Sequence, residues 1–244
     1  MKLKLLAAVS CMAFAGAASA AINNGSSTTE GGELILSVWD DATQSSYSLD
    51  LGIDTRGFDT TNNFSVDLSN DANWATYTAT NSNMATSKWN ITASDKGSVP
   101  GPNGMVFTAQ VGTDATVTSH GFGVYTTLQA NIEGYANILN ETMPGDTDVT
   151  VDNSYFINGG DYAGNTGTQP IIANLGNISS NYGATMDYWM LTSTKIGRTK
   201  TAVHTKAAGQ WTLLGDTLTY NVGGPTPPVP VPAAVWLFGS SLAG

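Results

Sequence analysis

Along most of the chain, apolar side chains recur at every second position in short runs, and stretches rich in Asn, Ser, Asp, Gly and Pro separate these runs. A period of two puts alternate side chains on opposite faces of an extended strand, so a chain patterned this way folds by pairing strands. Leu34, Leu36 and Val38 alternate with Ile35, Ser37 and Trp39, which marks a strand apolar on nearly both sides and therefore central. Tyr47, Leu49, Leu51 and Ile53 alternate with Ser48, Asp50, Gly52 and Asp54, the pattern of a half-buried strand. These two read as a hairpin with a loop of about six residues.

Shorter strands are expected at 64–68, 74–80, 89–93, 105–111, 115–119, 149–156, 186–192, 201–205, 211–214 and 218–222. Pro100-Gly101-Pro102-Asn103-Gly104 is the strongest turn, and Gly215-Asp216 is a hairpin-turn signature. Residues 159–181 read as a long polar loop. Five of these strands carry one tryptophan each (Trp39, Trp74, Trp89, Trp189, Trp211), as expected where flat rings fill the space between sheets. One segment breaks the period. Leu128, Ile132, Tyr135 and Leu139 are spaced four, three and four apart, which predicts a helix near 127–142 packed on the sheets, with Pro144-Gly145 as its stop. The fold expected is all-β: an antiparallel β-sandwich or jelly-roll-like domain with one packed helix. A parallel β-helix would need an internal repeat that the sequence does not contain.

The N-terminus fits an export leader. Lys2 and Lys4 precede an apolar stretch from Leu5 to Ala18, and Ala18-Ser19-Ala20 supplies the small residues that a signal peptidase cuts after. The stretch is too short for a transmembrane helix. Cys11, the one cysteine, lies within it and would be the modified residue in a lipoprotein, but Ala8-Val9-Ser10 is a poor approach to such a site. Cleavage after Ala20 gives a mature chain free of cysteine, with no disulfide, thiol nucleophile or thiolate metal site. Removing Lys2 and Lys4 takes the formal charge from −10 to −12, an acidic balance that argues against nucleic acid and anionic membranes as partners. Only 11% of residues are charged, so the polar surface is built from hydroxyls and amides, as suits an extracellular or matrix setting.

Candidate chemistry is sparse. His120 and His204 are far apart and fit no HExxH pattern. His204 lies in the one basic patch, with Lys195, Arg198, Lys200 and Lys206, and would face solvent if Val203 faces inward. No GxSxG elbow is present. A paired-carboxylate hydrolase would be decided by a carboxyl separation of about 5 or 9 Å. Asp146, Asp148 and Asp152, with Glu141 nearby, could hold calcium through oxygen ligands, and Asp54, Asp59 and Asn62 form a weaker second set. The alternative is that these residues cap their own turns. Five N-x-Ser/Thr acceptor sites, among them Asn63 and Asn90, arise readily in a chain this rich in Asn and Thr.

The last residues carry the most specific signal. After a proline-rich spacer at 223–232, residues 233–244 are apolar or small. The run Val231-Pro232-Ala233-Ala234-Val235-Trp236-Leu237-Phe238-Gly239-Ser240 resembles the C-terminal sorting signal of the PEP-CTERM class, in its VPxPAAxWLFGSGL form. The resemblance implies export by a Gram-negative bacterium that makes extracellular polysaccharide, and an exosortase-type membrane peptidase that recognises and cuts the tail. The class pattern continues through a full transmembrane helix to a basic cluster. Here the sequence stops at Gly244 within the helix, twelve residues and about 18 Å long, so it is expected to be a fragment or a released product. The chain thus divides into a signal peptide (1–20), a secreted β-rich domain (21–222), the spacer and the incomplete sorting segment. The function expected first is a non-enzymatic surface or matrix protein associated with exopolysaccharide or biofilm, transiently anchored at the inner membrane only with a completed tail. A carbohydrate-binding module, which would expose Trp74, Trp89 or Trp189, and a secreted hydrolase are the alternatives.

Overall fold

In the computed structural model, which describes residues 22–25, 31–95, 104–142, 154–165, 177–196 and 199–223, the chain runs through ten strands and three α-helices. In order these are β1 (Glu33–Asp40), β2 (Ser45–Asp54), β3 (Phe64–Asp67), α1 (Ala72–Thr80), β4 (Lys88–Asp95), β5 (Gly104–Gln110), α2 (Asp114–Ser119), α3 (Phe122–Thr142), β6 (Ser154–Asn158), β7 (Ser180–Asn181), β8 (Thr185–Ile196), β9 (Thr199–Leu214) and β10 (Thr217–Val222). The strands join one antiparallel sheet in the order β3-β10-β9-β8-β5-β4-β1-β2-β6, with β7 beside β4. The fold is all-β, and the sheet curls into a half-barrel.

Curling gives the sheet an inner and an outer face, and both are buried. Leu34, Leu36 and Val38 of β1 join Tyr47, Trp89, Ile91, Tyr188, Trp211, Leu213, Leu218 and Tyr220 in the inner core. Phe58 lies among these rings, stacked on Trp211 at 5.3 Å and edge-on to Tyr220 and Tyr188 at 5.1 and 5.4 Å. Rings of this size bury 150–250 Å² each, roughly 4–6 kcal/mol of transfer free energy apiece before entropy is counted. Gly209 is required here, since a Cβ would lie 2.3 Å from the Tyr220 ring.

The outer face lies against α3. Phe107, Trp189 and Leu191 pack on Tyr125, Leu128 and Ile132, and Ile35, Trp39, Tyr155 and Ile157 pack on Tyr135, Ala136 and Leu139. All four residues of the predicted helical face are buried, and the helix begins at Phe122, five residues ahead of its predicted start. β1 is central as its two-sided pattern requires, lying between β4 and β2. The polar side of β2 departs from expectation: Ser46, Ser48 and Asp50 are buried too, the hydroxyls of Tyr135 on α3 and Ser48 share a 2.6 Å hydrogen bond, and the Ala163 N–H donates to the Ser46 hydroxyl.

Two predicted strands are helices. Residues 74–80 belong to α1 and residues 115–119 to α2. In α1 the Asp71 carboxylate caps the first turn by accepting the N–H groups of Asn73 and Trp74, and the hydroxyls of Thr76, Thr78 and Thr80 donate back to carbonyls three or four residues earlier. α1 bridges the ends of the half-barrel: Trp74 Nε1 donates to Asp216 in the β9–β10 turn, Asn73 donates to the Ser154 carbonyl of β6, and the Tyr47 hydroxyl of β2 donates to Asp71. Residues 201–205 and 211–214 lie in one long strand, β9. The β1–β2 loop has four residues rather than six, since both strands extend further than their apolar runs. The β9–β10 turn is Gly215-Asp216 as read, with Gly215 at φ 59°, the positive value that a two-residue hairpin of the II′ kind places on glycine.

Candidate functional site

Among the described carboxylates, Asp50, on β2, has a strongly displaced acidity. Burial, reinforced by the nearby Glu33 carboxylate on β1, pushes its pKa up to about 7, against one stabilising bond from the Gly52 N–H at 2.8 Å. Tyr155 of β6 shares this environment, and burial with the charges of Asp50 and Glu33 raises its pKa to about 12. The irregular register between Glu33 and Ile35 places Glu33 opposite Asp54, while Ile35 pairs with Asp50. Glu33 in turn accepts the Asn23 N–H at 2.5 Å, which ties the N-terminal residues to the sheet.

A carboxyl group with a pKa near 7 beside a second carboxylate is the arrangement that acid–base catalysis uses. Substrate access decides against that use here. Asp50 is only 6% exposed and lies within a strand, so its carboxyl is closed off inside the domain. Around it, polar groups are matched in specific pairs: Arg56 grips Asp95 through two bonds of 2.9 and 2.7 Å, and the Ser94 hydroxyl donates to Glu133 of α3 at 2.8 Å. These bonds join the β2 and β4 ends and the helix into one unit.

The remaining sequence candidates separate cleanly. Asp146, Asp148 and Asp152, read as calcium ligands, lie outside the described residues, as do the leader at 1–20, the spacer from 224, and the motif residues Val231, Pro232, Ala233, Ala234, Trp236, Leu237, Phe238, Gly239 and Ser240. Glu141 is exposed near the end of α3. Asp54 accepts the N–H groups of Arg56 and Gly57, and Asp59 accepts the N–H and hydroxyl of Thr61 and the amide of Asn62. These are turn caps, and the bonds hold the Asp59 carboxyl below the usual carboxylate range. Among the described residues no group of three or more His, Cys, Asp or Glu could hold a metal ion.

His120 and His204, distant in sequence, both lie against Tyr125, with ring centroids 6.2 and 5.2 Å from it. Val203 is 41% exposed, so the condition under which His204 would face solvent is not met, and His204 lies on the packed side of β9. Burial, with the charge of His120, lowers its pKa. The tyrosine hydroxyl donates to the Val117 carbonyl at 2.7 Å and so is committed to α2. Trp74, Trp89 and Trp189 are 2%, 0% and 4% exposed, so none offers a ring face to a sugar. An ion pair with one buried partner escaped the sequence pattern: Asp187 of β8, fully buried, lies 2.7 Å from the solvent-exposed Lys206 of β9, which also bonds Asp114 of α2 and lies 5.7 Å from the Trp189 ring centroid. Only the strand register brings these together.

No family model matches the chain, and neither curated proteins nor solved structures return a match to it. Among the described residues no helix is long and apolar enough to cross a membrane.

Proposed function

We propose that the chain is a non-enzymatic exported protein of the cell surface or extracellular matrix of a Gram-negative bacterium, associated with exopolysaccharide and biofilm. The observation that carries this reading is the run Val231–Ser240, which resembles a PEP-CTERM sorting signal, at the opposite end of the chain from a leader with a signal-peptidase site after Ala20. The exporting signal peptidase is its processing partner, joined by an exosortase-type peptidase where the tail is complete. A mature domain without cysteine, held by an aromatic core and a helix-covered sheet, needs no oxidative step to fold outside the cell. The burial of Trp74, Trp89 and Trp189 removes the exposed aromatic row on which the carbohydrate-binding-module reading depended, and the burial of Asp50 weakens the hydrolase reading.

The test is fractionation of the producing strain with an antiserum raised against residues 21–222. The protein is expected in the washed matrix or surface fraction, and is expected to be lost from it when the exosortase-type peptidase gene is deleted. Identical distribution with and without the peptidase would overturn the sorting assignment.

A further inference from the structure

α2 and the start of α3 form a corner that lies on the outer face of the sheet. Val117 of α2 and Tyr125 and Leu128 of α3 pack there with Phe107 of β5 and with Trp189 and Leu191 of β8. Tyr125 joins the two helices: its ring stacks on Phe107 at 5.6 Å, and its hydroxyl donates to the Val117 carbonyl in the last turn of α2. His120, the residue that ends α2, and His204 of β9 both set their rings against this tyrosine. At its other end α2 is clipped to β9 by the Asp114–Lys206 pair at 3.0 Å.

Both imidazoles are half-buried, yet the Nε2 atom of each is fully buried and has no hydrogen-bond partner among the described residues. A neutral imidazole leaves one weak polar site unmatched there. An imidazolium carries an N–H on both nitrogens, and a buried charged donor without an acceptor is far costlier. The described charged and titratable groups around His204 offer it no compensation. On β8, Leu191 lies directly opposite. Lys206, two residues along the same face of β9, adds like charge. The carboxylates of Asp187 on β8 and Asp114 on α2 are already engaged by Lys206, and Asp187 also accepts from Gln210. From the corner itself come Tyr125, whose hydroxyl is committed to Val117, and His120, whose charge opposes a second one on His204.

We propose that His204 is an acid-sensitive latch on this corner: its protonation releases α2 and the first turn of α3 from the sheet and opens the apolar layer over Trp189. α2 is the element built to yield first, since it is six residues long and Val117 is its one buried side chain. Burial and the His120 charge hold the His204 pKa below the ordinary histidine value. The closed corner therefore binds fewer protons than the open one. Its stability is full above about pH 6.5 and falls as pH drops below that value. Asp50 has the opposite dependence, and a turn carboxylate such as Asp59 is held below the usual carboxylate range. Between pH 7.5 and 5, protection lost on acidification at this corner alone is thus the signature of His204.

Amide hydrogen exchange of the purified mature protein between pH 7.5 and 5, corrected for the intrinsic rate at each pH, tests this with wild type, His204→Phe, His204→Gln and His120→Gln. In wild type the opening equilibrium of residues 114–126 is expected to rise by up to about tenfold per pH unit below about 6.5, while β1 and β2 keep their protection. His204→Phe keeps a ring against Tyr125 and takes up no proton, so it is expected to abolish the rise, as is His204→Gln. His120→Gln is expected to reduce its extent, because one opposing charge is gone. A role for His204 in packing alone would change protection by the same factor at every pH. Protection independent of pH in wild type, a rise that persists in both His204 variants, or a rise spread equally over β1 and β2 would each overturn the proposal. Should the variants not fold, an NMR titration of the wild-type His204 ring decides: a midpoint below about 6.5 is expected, and one at or above it would overturn the latch.

Discussion

Asp50 shows how a residue can look ordinary in sequence and matter energetically. In the alternation of β2 it occupies a polar, outward position, and nothing local signals that it will be buried. Burial and the Glu33 charge raise its folded pKa to about 7, above the unfolded value of about 3.9. The folded state therefore binds the extra proton between those values. The stability from this group is full below about pH 4 and is lost as pH rises through 7, at a cost of up to roughly 4 kcal/mol. Asp50→Asn keeps an acceptor for the Gly52 N–H and cannot ionise, so at pH 8 the variant is expected to be more stable than wild type by about 1–3 kcal/mol in urea unfolding, with the difference vanishing as pH falls below about 4. Parallel pH profiles would show that Asp50 is solvated. The turn residues Asp54 and Asp59, in contrast, were readable from their neighbours, because an Asx cap is a bond within three residues.

Elements were legible where their pattern was set by one face and obscure where tertiary contacts chose between states. α3 could be read from Leu128, Ile132, Tyr135 and Leu139, since four large apolar groups at helical spacing fit no strand. α1 could not, because its Trp-Ala-Thr-Tyr-Thr-Ala-Thr run has the β-branched and aromatic composition of a strand. The deciding feature is Asp71 just ahead of it, which caps the helix and also accepts from Tyr47 and Ser154. Asp71→Ala is expected to cost about 2–4 kcal/mol by chemical denaturation, more than a cap alone, because it strips partners from two further hydroxyls. A loss below about 0.5 kcal/mol would mean that α1 is held by Trp74 and Tyr77 without its cap. Leu139→Ala on α3 is expected to cost about 2–5 kcal/mol by the same measurement.

For the whole molecule, the sequence supported an antiparallel all-β domain but not its strand order. β5 pairs with β8 across a chain separation that holds α2, α3, β6 and β7, and no period or turn signal encodes a contact of that range. The meeting of His120 with His204 and of Lys206 with Asp187 was hidden for the same reason. On the proposed cleavage after Ala20, which removes Cys11, the one cysteine, the mature protein is expected to show the same melting temperature with and without a reductant, and a reductant-dependent shift would mean that Cys11 is retained. The central claim is that the two ends route this domain out of the cell and that its tail is a processing signal. Intact-mass analysis of the protein recovered from the extracellular matrix tests it most directly. A chain beginning at Ala21 and cut within or next to Val231–Ser240 is the expected result, whereas a chain that still begins at Met1 and keeps its tail through Gly244 would contradict it.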